Sequence, residues 1–516
     1  MDDKLGFFTK NPIISLSIIA AIAVSLRLDF VHFDIPITSD ALLYFNYAID
    51  VVTLGHLPPY PVPNNGWPVF LSFFFSVFHS SDFMDYMILQ RAITIFISVA
   101  TIIPIYLLSR KFFQKSFSVL ASAIFVLEPR IIQNSLFGIS DPLYIMTVTI
   151  SLVLFLSQKN KLVYVSFAII GIASIIRSEG LFLLPAFSIL FFIRYGINRE
   201  AVTRYLLVIT IFALIIIPVS LLRIETVGND WLTSRVVIGA TNIVDQSKND
   251  QFGTLRYVTS GFFTLIKFAT LSMIPYLAFF VPFGILLAIR NRSSIENKLL
   301  LIVQVFMLLP VLYAYSIPAL DSRYLLPLYP IFAIMSVFTV RSLVKTVEIP
   351  KIFVVLLVAG LILLSWYYLY SKDIDTSHEK EALSIAHFVV DKTLVIYPYS
   401  ESSYLAVAGI NNTQNFPIPT NNFKIPKQIN IGQAKSLNDA LDIGRSNGLT
   451  HLVIDGSIDQ PRFFGDVFYH EGKYPYLIKI FDSTDYGYIY QVKIYKIDYQ
   501  KYDDIQQNAP FPELAN

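Results

Sequence analysis

The hydrophobic pattern divides the chain near residue 370. Before that point apolar runs follow one another with short polar breaks, at 11–28, 84–109, 117–135, 142–157, 161–176, 180–194, 203–222, 260–289, 299–317, 325–340 and 352–370. Most approach or exceed the ~20 residues that an α-helix needs to cross a bilayer. The run "GWPVFLSFFFSVF", 66–78, is shorter and suits an interfacial or re-entrant helix. After residue 371 the period changes. "HEKEALSIAHFVVDK" predicts an amphipathic helix, and "TLVIYPY", "HLVIDG", "YLIKIFDS" and "YIYQVKIYKI" predict strands with polar helical stretches between them. The pattern as a whole predicts a polytopic α-helical membrane module of about eleven spans, 1–370, followed by a small α/β domain, 371–516. The start, "MDDKLGFFTKNPIISLSIIAAIAVSLRL", has no small-residue cleavage site after its apolar run and reads as a retained first span.

Charge supplies an orientation. With 66–78 lying in the first outer loop, 29–83, the inside segments total 52 residues and hold 16 Lys or Arg, whereas the outside loops total 114 and hold 7. That is the positive-inside pattern, with the N-terminus cytoplasmic and the C-terminal domain extracytoplasmic. Counting 66–78 as a span would put "RKFFQK" outside and spoil it. Composition agrees: 54% of residues are hydrophobic and only 15% are charged, against about 25% in soluble domains. A net charge of +2 gives no argument for nucleic acid, and the lack of cysteine removes disulfides, Cys-ligated zinc and thiol nucleophiles.

In this orientation the unusual polar residues gather on the outer side. They are Asp40 in "TSDALLY", Glu128 and Arg130 around Pro129, Asp141 in "FGISDPLY", Arg177 and Glu179 in "RSEG", and Asp321 and Arg323 in "LDSRYLLPLYP". Each has a plain alternative. Glu128, Arg130 and Glu179 read equally as interfacial anchors, and Asp40 and Asp141 as helix starts. Asp40 stands out because its loop of 55 residues contains no Lys or Arg. A carboxylate that deprotonates an acceptor must not be locked in an ion pair. A phosphate leaving group needs Arg or a divalent ion to take up developing charge, and two acids on different loops are ligands of the type Mg or Mn prefers. Such a set fits transfer from a phosphate-activated lipid donor.

The order of these pieces resembles the GT-C superfamily of membrane glycosyltransferases, over roughly residues 10–370. An acid follows the first span ("TSDALLYFNYA"), then come an interfacial helix ("NGWPVFLSFFFSVF"), "RAITIFISVATIIPIYLLSRKFF", a second acid in "LASAIFVLEPRIIQNSLFGISDP", "RSEGLFLLP" and "RYLLPLYP". The resemblance reaches to protein O-mannosyltransferases, aminoarabinose transferases and oligosaccharyltransferase catalytic subunits. It implies a polyprenyl- or dolichyl-phosphate sugar donor, of single-sugar type, used at the outer face of what is expected to be a prokaryotic cell membrane. Asp40 matches the first-loop acid, a base or metal ligand. Asp141 matches the second-loop acid, which with Asp40 would hold a divalent cation. Arg323 and, more weakly, Arg177 match contacts to the donor phosphate. Glu128, Glu179 and Asp321 are secondary candidates. There are departures: Ala41 follows Asp40 where relatives carry Asp-Glu, Pro142 and Leu143 replace Asp-x-Asp, and no Trp-Trp-Asp-Tyr-Gly signature is present.

Rival readings are a lipid-linked glycan polymerase or ligase, which tends to carry a large late outer loop, and a flippase or transporter. The loop 318–324 is short, and no inverted duplication is visible. Lys267, inside the eighth span, either snorkels or lines a lipid groove. No HExxH, P-loop or G-x-G-x-x-G occurs, so no nucleotide cofactor is expected. Asn411 in "NNT" is a glycosylation sequon. The acceptor is not legible: protein, lipid and glycan all remain open.

Overall fold

The computed structural model describes residues 11–37, 39–80, 83–230, 232, 233, 241, 253–273, 277–316, 321–346, 352–372, 380, 381, 384, 385, 398, 399, 434–446, 448–455 and 461–508. The helix expected at 378–392 and Asn411 lie largely or wholly outside these residues. The chain forms two compact units. One comprises Met1–Val31, Leu43–Val77 and Ile88–Asp373; the other comprises His32–Leu42, Phe78–Met87 and Ile374–Asn516.

Among its described residues the first unit has helices and no strand. Its elements are α1 (Pro12–Phe30), most of α2 (Ser39–Leu54), α3 (Gly66–Val77), most of α4 (Phe83–Ala100), α5 (Ile102–Ser109), α6 (Lys115–Val126), α7 (Pro129–Ser135), α8 (Asp141–Phe155), α9 (Asn160–Ile176), α10 (Leu183–Tyr195), α11 (Arg199–Val227), α12 (Gly253–Met273), α13 (Leu277–Arg290), α14 (Ile295–Ser316), α15 (Tyr329–Thr346) and α16 (Ile352–Lys372). Short 3-10 turns at Ser178–Phe182 and Ser322–Leu328 lead into α10 and α15. Among the described residues six helical stretches are long and apolar enough to cross a membrane, or eight if each bent pair counts as one span. Gly66–Val77 is a helix of 12 residues, the short element expected between the first two spans.

Two expected spans are broken. The run 117–135 is α6 and α7, bent by 55°, and 260–289 falls in α12 and α13, bent by 114°. Hydropathy reports the medium a run prefers and is silent on its direction. Prolines do break direction, and Pro129 opens α7 where its missing N–H costs nothing. A break in an apolar medium exposes backbone groups that must find partners inside the protein. Here they do. Glu128, buried, accepts hydrogen bonds from the N–H groups of Arg130 (2.7 Å) and Ile131 (2.9 Å). On the other side of the bend, the Val126 carbonyl accepts from Arg27 Nη1 at 3.2 Å, and the Leu127 carbonyl from the Ser365 hydroxyl. Arg27 is fully buried and also donates to the Ala23 carbonyl (2.9 Å) and to Ser98 Oγ (2.9 Å) and Ser135 Oγ (3.0 Å). The last carbonyls of α12 are closed in the same way: Leu271 accepts from Arg130 at 2.7 Å and Ser272 from the Tyr329 hydroxyl at 2.6 Å. Glu128 is thus a helix cap, not a side chain anchored in an exposed interface, and Arg130 spans two helix ends.

The second unit contains a four-stranded sheet in the order β1-β2-β4-β3, with β1 at Pro398–Tyr399, β2 at His451–Asp455, β3 at Leu477–Asp482 and β4 at Val492–Ile497. Each strand falls in one of the four expected runs. β1 runs parallel to β2, while the other pairings are antiparallel. Helices α17 (Leu437–Ser446), α18 (Arg462–Tyr469) and α19 (Tyr499–Asn508) complete it, and Leu441, Leu452, Phe464 and Tyr495 are buried in its core.

Replacing Glu128 by Ala removes the cap of α7 and is expected to lower stability by about 1–2 kcal/mol, while Glu128→Gln keeps an acceptor and most of the loss is avoided. Thermal midpoints of the detergent-purified variants test this. Equal midpoints for the Ala variant and wild type would rule the cap out as a stabilising feature.

Candidate functional site

At one end of the antiparallel pair α8 and α9, charged side chains from three parts of the sequence converge. Ser140 occupies the N-cap position of α8, and Pro142 stands in the first turn, fixing a helical φ. Asp141 lies in that first turn, a favourable place for an acid near the positive end of the helix dipole. Its carboxylate nevertheless turns to Arg177, whose Nη1 donates to Oδ1. Arg177 follows α9 in an extended conformation (φ −145°, ψ 130°) that ends the helix and starts the 3-10 turn. Glu179, two residues on, receives Arg177 Nη2 at 3.2 Å. The Arg177 guanidinium also stands 5.9 Å from the centre of the Tyr144 ring, one turn into α8.

The late motif arrives from a second direction. Asp321 caps the turn Ser322–Leu328, accepting from the Arg323 N–H at 2.8 Å and from Arg323 Nε at 2.5 Å. The charges of Arg323 and Asp321 act on Asp141, and Tyr324 is within electrostatic reach of Arg177, Arg323, Glu179 and Asp321. Asp141 and Arg177 are buried, while the Arg323 side chain is 39% exposed and is the more accessible cation of the two. Five of the expected site residues are therefore one cluster: Asp141, Arg177, Glu179, Asp321 and Arg323. Glu128 belongs to the helix break instead. Asp40, in the first turn of α2, is exposed and falls in the second compact unit.

The loop that carries Asp141 is held by residues that motif reading passed over. The Gly138 carbonyl accepts from both Trp67 Nε1 (3.1 Å) and Gln90 Nε2 (2.7 Å). Gly138 itself has φ +77°, a conformation that favours glycine, and an added Cβ would stand 3.1 Å from Gln90. At the start of α3, a Cβ on Gly66 would meet the Ile175 carbonyl oxygen at 2.7 Å, so α3 closes directly on the end of α9 that leads to Arg177. The available signal was the pair Gly66–Trp67 at the head of an otherwise uniform apolar run. First-loop tyrosines add to this packing. Tyr44 lies within electrostatic reach of Arg177, and the hydroxyls of Tyr44 and Tyr47 accept from Asn64 (3.5 Å) and Asn65 (3.4 Å). Asp50, also unassigned from sequence, accepts from the Tyr60 hydroxyl at 2.6 Å; burial raises its pKa, and that hydrogen bond opposes the rise.

The expectation of a divalent cation meets a charge problem in the first unit. Each carboxylate of the cluster already has an arginine on it. A doubly charged ion placed about 4 Å from a guanidinium is opposed by roughly 8 kcal/mol at an effective dielectric of ~20. Among the described residues no three His, Cys, Asp or Glu side chains come together as a metal site. The carboxylates as arranged do not fit a metal at Asp141.

No family model and no curated protein sequence matches the chain. Solved structures do. The archaeal oligosaccharyltransferase AglB from Archaeoglobus fulgidus, in complex with an inhibitory peptide and a dolichol-phosphate, superposes with a TM-score of 0.60 at 14% identity, over 98% of this chain and 76% of that one. The Archaeoglobus fulgidus oligosaccharyltransferase complexed with Zn and sulfate gives 0.59 at 16%, over 91% and 71%. ArnT from Cupriavidus metallidurans bound to undecaprenyl phosphate gives 0.56 at 11%, over 94% and 97%. The chain shares the fold of these membrane proteins, as the order of its motifs led us to expect.

Breaking the central pair from either side leaves a buried charge uncompensated. Asp141→Asn and Arg177→Met are each expected to cost about 3 kcal/mol, and the double variant less than the sum, with a coupling of at least ~1 kcal/mol. Thermal unfolding of the three variants decides this, and strict additivity would show that the pair is not coupled.

Proposed function

We propose that this protein is an integral-membrane glycosyltransferase that moves a single sugar from a polyprenyl- or dolichyl-phosphate carrier to an acceptor at the outer face of the membrane. The observation that carries the reading is the convergence of Asp141, Arg177, Glu179, Asp321 and Arg323 at one end of a helical bundle with the GT-C fold. Support for the donor class comes from AglB and ArnT, solved with dolichol-phosphate and undecaprenyl phosphate. Support for the orientation is the excess of Lys and Arg in the short segments assigned to the cytoplasm.

In this mechanism Asp40 is the base. That assignment carries over the first-loop acid of the families that the order of the motifs resembles. The acceptor's nucleophilic O–H or N–H group attacks the anomeric carbon and its proton passes to the Asp40 carboxylate. The bond between that carbon and the phosphate oxygen breaks, the bonding pair stays on oxygen, and the lipid phosphate leaves. Arg323, the exposed arginine of the cluster, meets the charge that develops on it; a charge-assisted contact of this kind is stronger in the transition state than in the ground state. Arg177 and Asp141 hold the floor of the site beneath it.

Radiolabelled polyprenyl-phosphate monosaccharides, supplied to membranes containing the protein, test the reading. Wild type is expected to label an endogenous acceptor. Asp40→Asn should reduce the rate by about 10²–10⁴ and Arg323→Ala by about 10²–10³. Full activity in the Asp40 variant would remove that residue from the mechanism, and no label from any such donor would remove the function.

A further inference from the structure

Arg177 is held more completely than a phosphate contact requires. Its two terminal nitrogens go to separate carboxylates, Nη1 to Asp141 and Nη2 to Glu179, and its guanidinium stands 5.9 Å from the centre of the Tyr144 ring. The side chain is one-tenth exposed, and Nε is buried with no hydrogen-bond partner among the described residues. The extended backbone at Arg177, followed by the 3-10 turn, is what lets residues 177 and 179 face each other while Asp141 approaches from the neighbouring helix. The planar fork of arginine can serve two carboxylates at once, which the point charge of lysine does less well.

A divalent ion held by the second-loop acid would need oxygen ligands from Asp141 and its neighbours. Asp141 Oδ1 and Glu179 Oε1 are already taken by guanidinium nitrogens. The geometry points to Arg177 as the resident cation of Asp141, a protein-borne replacement for a divalent metal, so that sugar transfer proceeds without one. This rests on the lipid-phosphate reading above. It follows that the positive charge beneath the leaving phosphate is fixed by the polypeptide and does not vary with metal supply.

The test separates metal binding from turnover. The full-length protein in lipid nanodiscs is stripped with EDTA and titrated with Mn²⁺, the free ion being followed by electron paramagnetic resonance and the thermal midpoint read in parallel. Wild type is expected to take up no stoichiometric Mn²⁺ and to keep its midpoint. One Mn²⁺ per chain, lost in Asp141→Asn, would overturn the assignment. Arg177→Gln is expected to melt lower than wild type and to regain stability with Mn²⁺, since the carboxylates are then open to it. If that variant fails to fold, Arg177→Lys, which keeps the charge, is expected to fold and to ignore Mn²⁺; a rise in its midpoint equal to that of a genuine metal protein would count against the proposal. In the labelling assay, wild-type transfer is expected to persist in EDTA, and loss restored by Mn²⁺ would overturn the inference while leaving the glycosyltransferase reading intact. Absence of transfer from every lipid-phosphate donor would instead remove that reading, and the Mn²⁺ titration would still decide whether Arg177 holds the cation position.

Discussion

The helical unit depends on the closure of its broken helices. An apolar medium offers no water to a carbonyl or N–H freed by a bend, and each group left so costs several kcal/mol. Between α6 and α7 the closure is shared by Glu128 on one side and, on the other, by Arg27 and Ser365, drawn from two helices far away in sequence. Arg130 and Tyr329 close the end of α12 by the same logic. These contacts fix where α6 stops and α7 begins, and α7 leads the chain on to Gly138 and Asp141. The charged site is therefore positioned by hydrogen bonds made well away from it.

Within the site, three carboxylates face two arginines, and the two arginines are not equivalent. Arg177 is enclosed by Asp141, Glu179 and Tyr144, which makes it a fixed element of the electrostatic background. Arg323 pairs with Asp321, and its side chain is 39% exposed. The clamp of Trp67 and Gln90 on Gly138 fixes the loop between them.

Much of the architecture was legible because burial leaves a periodic trace. The apolar runs, the short helix Gly66–Val77 and the four strands of the C-terminal sheet all follow from residue patterning over a few turns. The two bends were not legible, since an apolar run reads alike whether straight or folded back on itself. Five of the rare charges picked out from the sequence lie together in the candidate site, but their pairing could not be read. Asp141 and Arg177 are 36 residues apart, and nothing local to "FGISDP" or "RSEG" announces that one neutralises the other. Glu128 shows the converse: Pro129 favours a helix start, but the sequence offered Glu128 only as an interfacial anchor or a secondary site candidate, and its cap was not legible. Arg27 was invisible for a third reason, a single charge being averaged away in a helix of mean hydropathy 2.0.

That buried arginine also bears on how the protein is made. Ser98, Val126 and Ser135 follow Arg27 by 71, 99 and 108 residues. At ~5–20 residues per second the last of them emerges roughly 5–20 s after it. Through that interval α1 carries a charge that disfavours membrane entry by ~2.5–3.5 kcal/mol at a helix centre, offset by its aliphatic residues and by the position of Arg27 one turn from the helix end. The first helix is thus committed to the bilayer in a provisional state, and the synthesis of the runs 84–109 and 117–135 supplies the groups that satisfy its arginine.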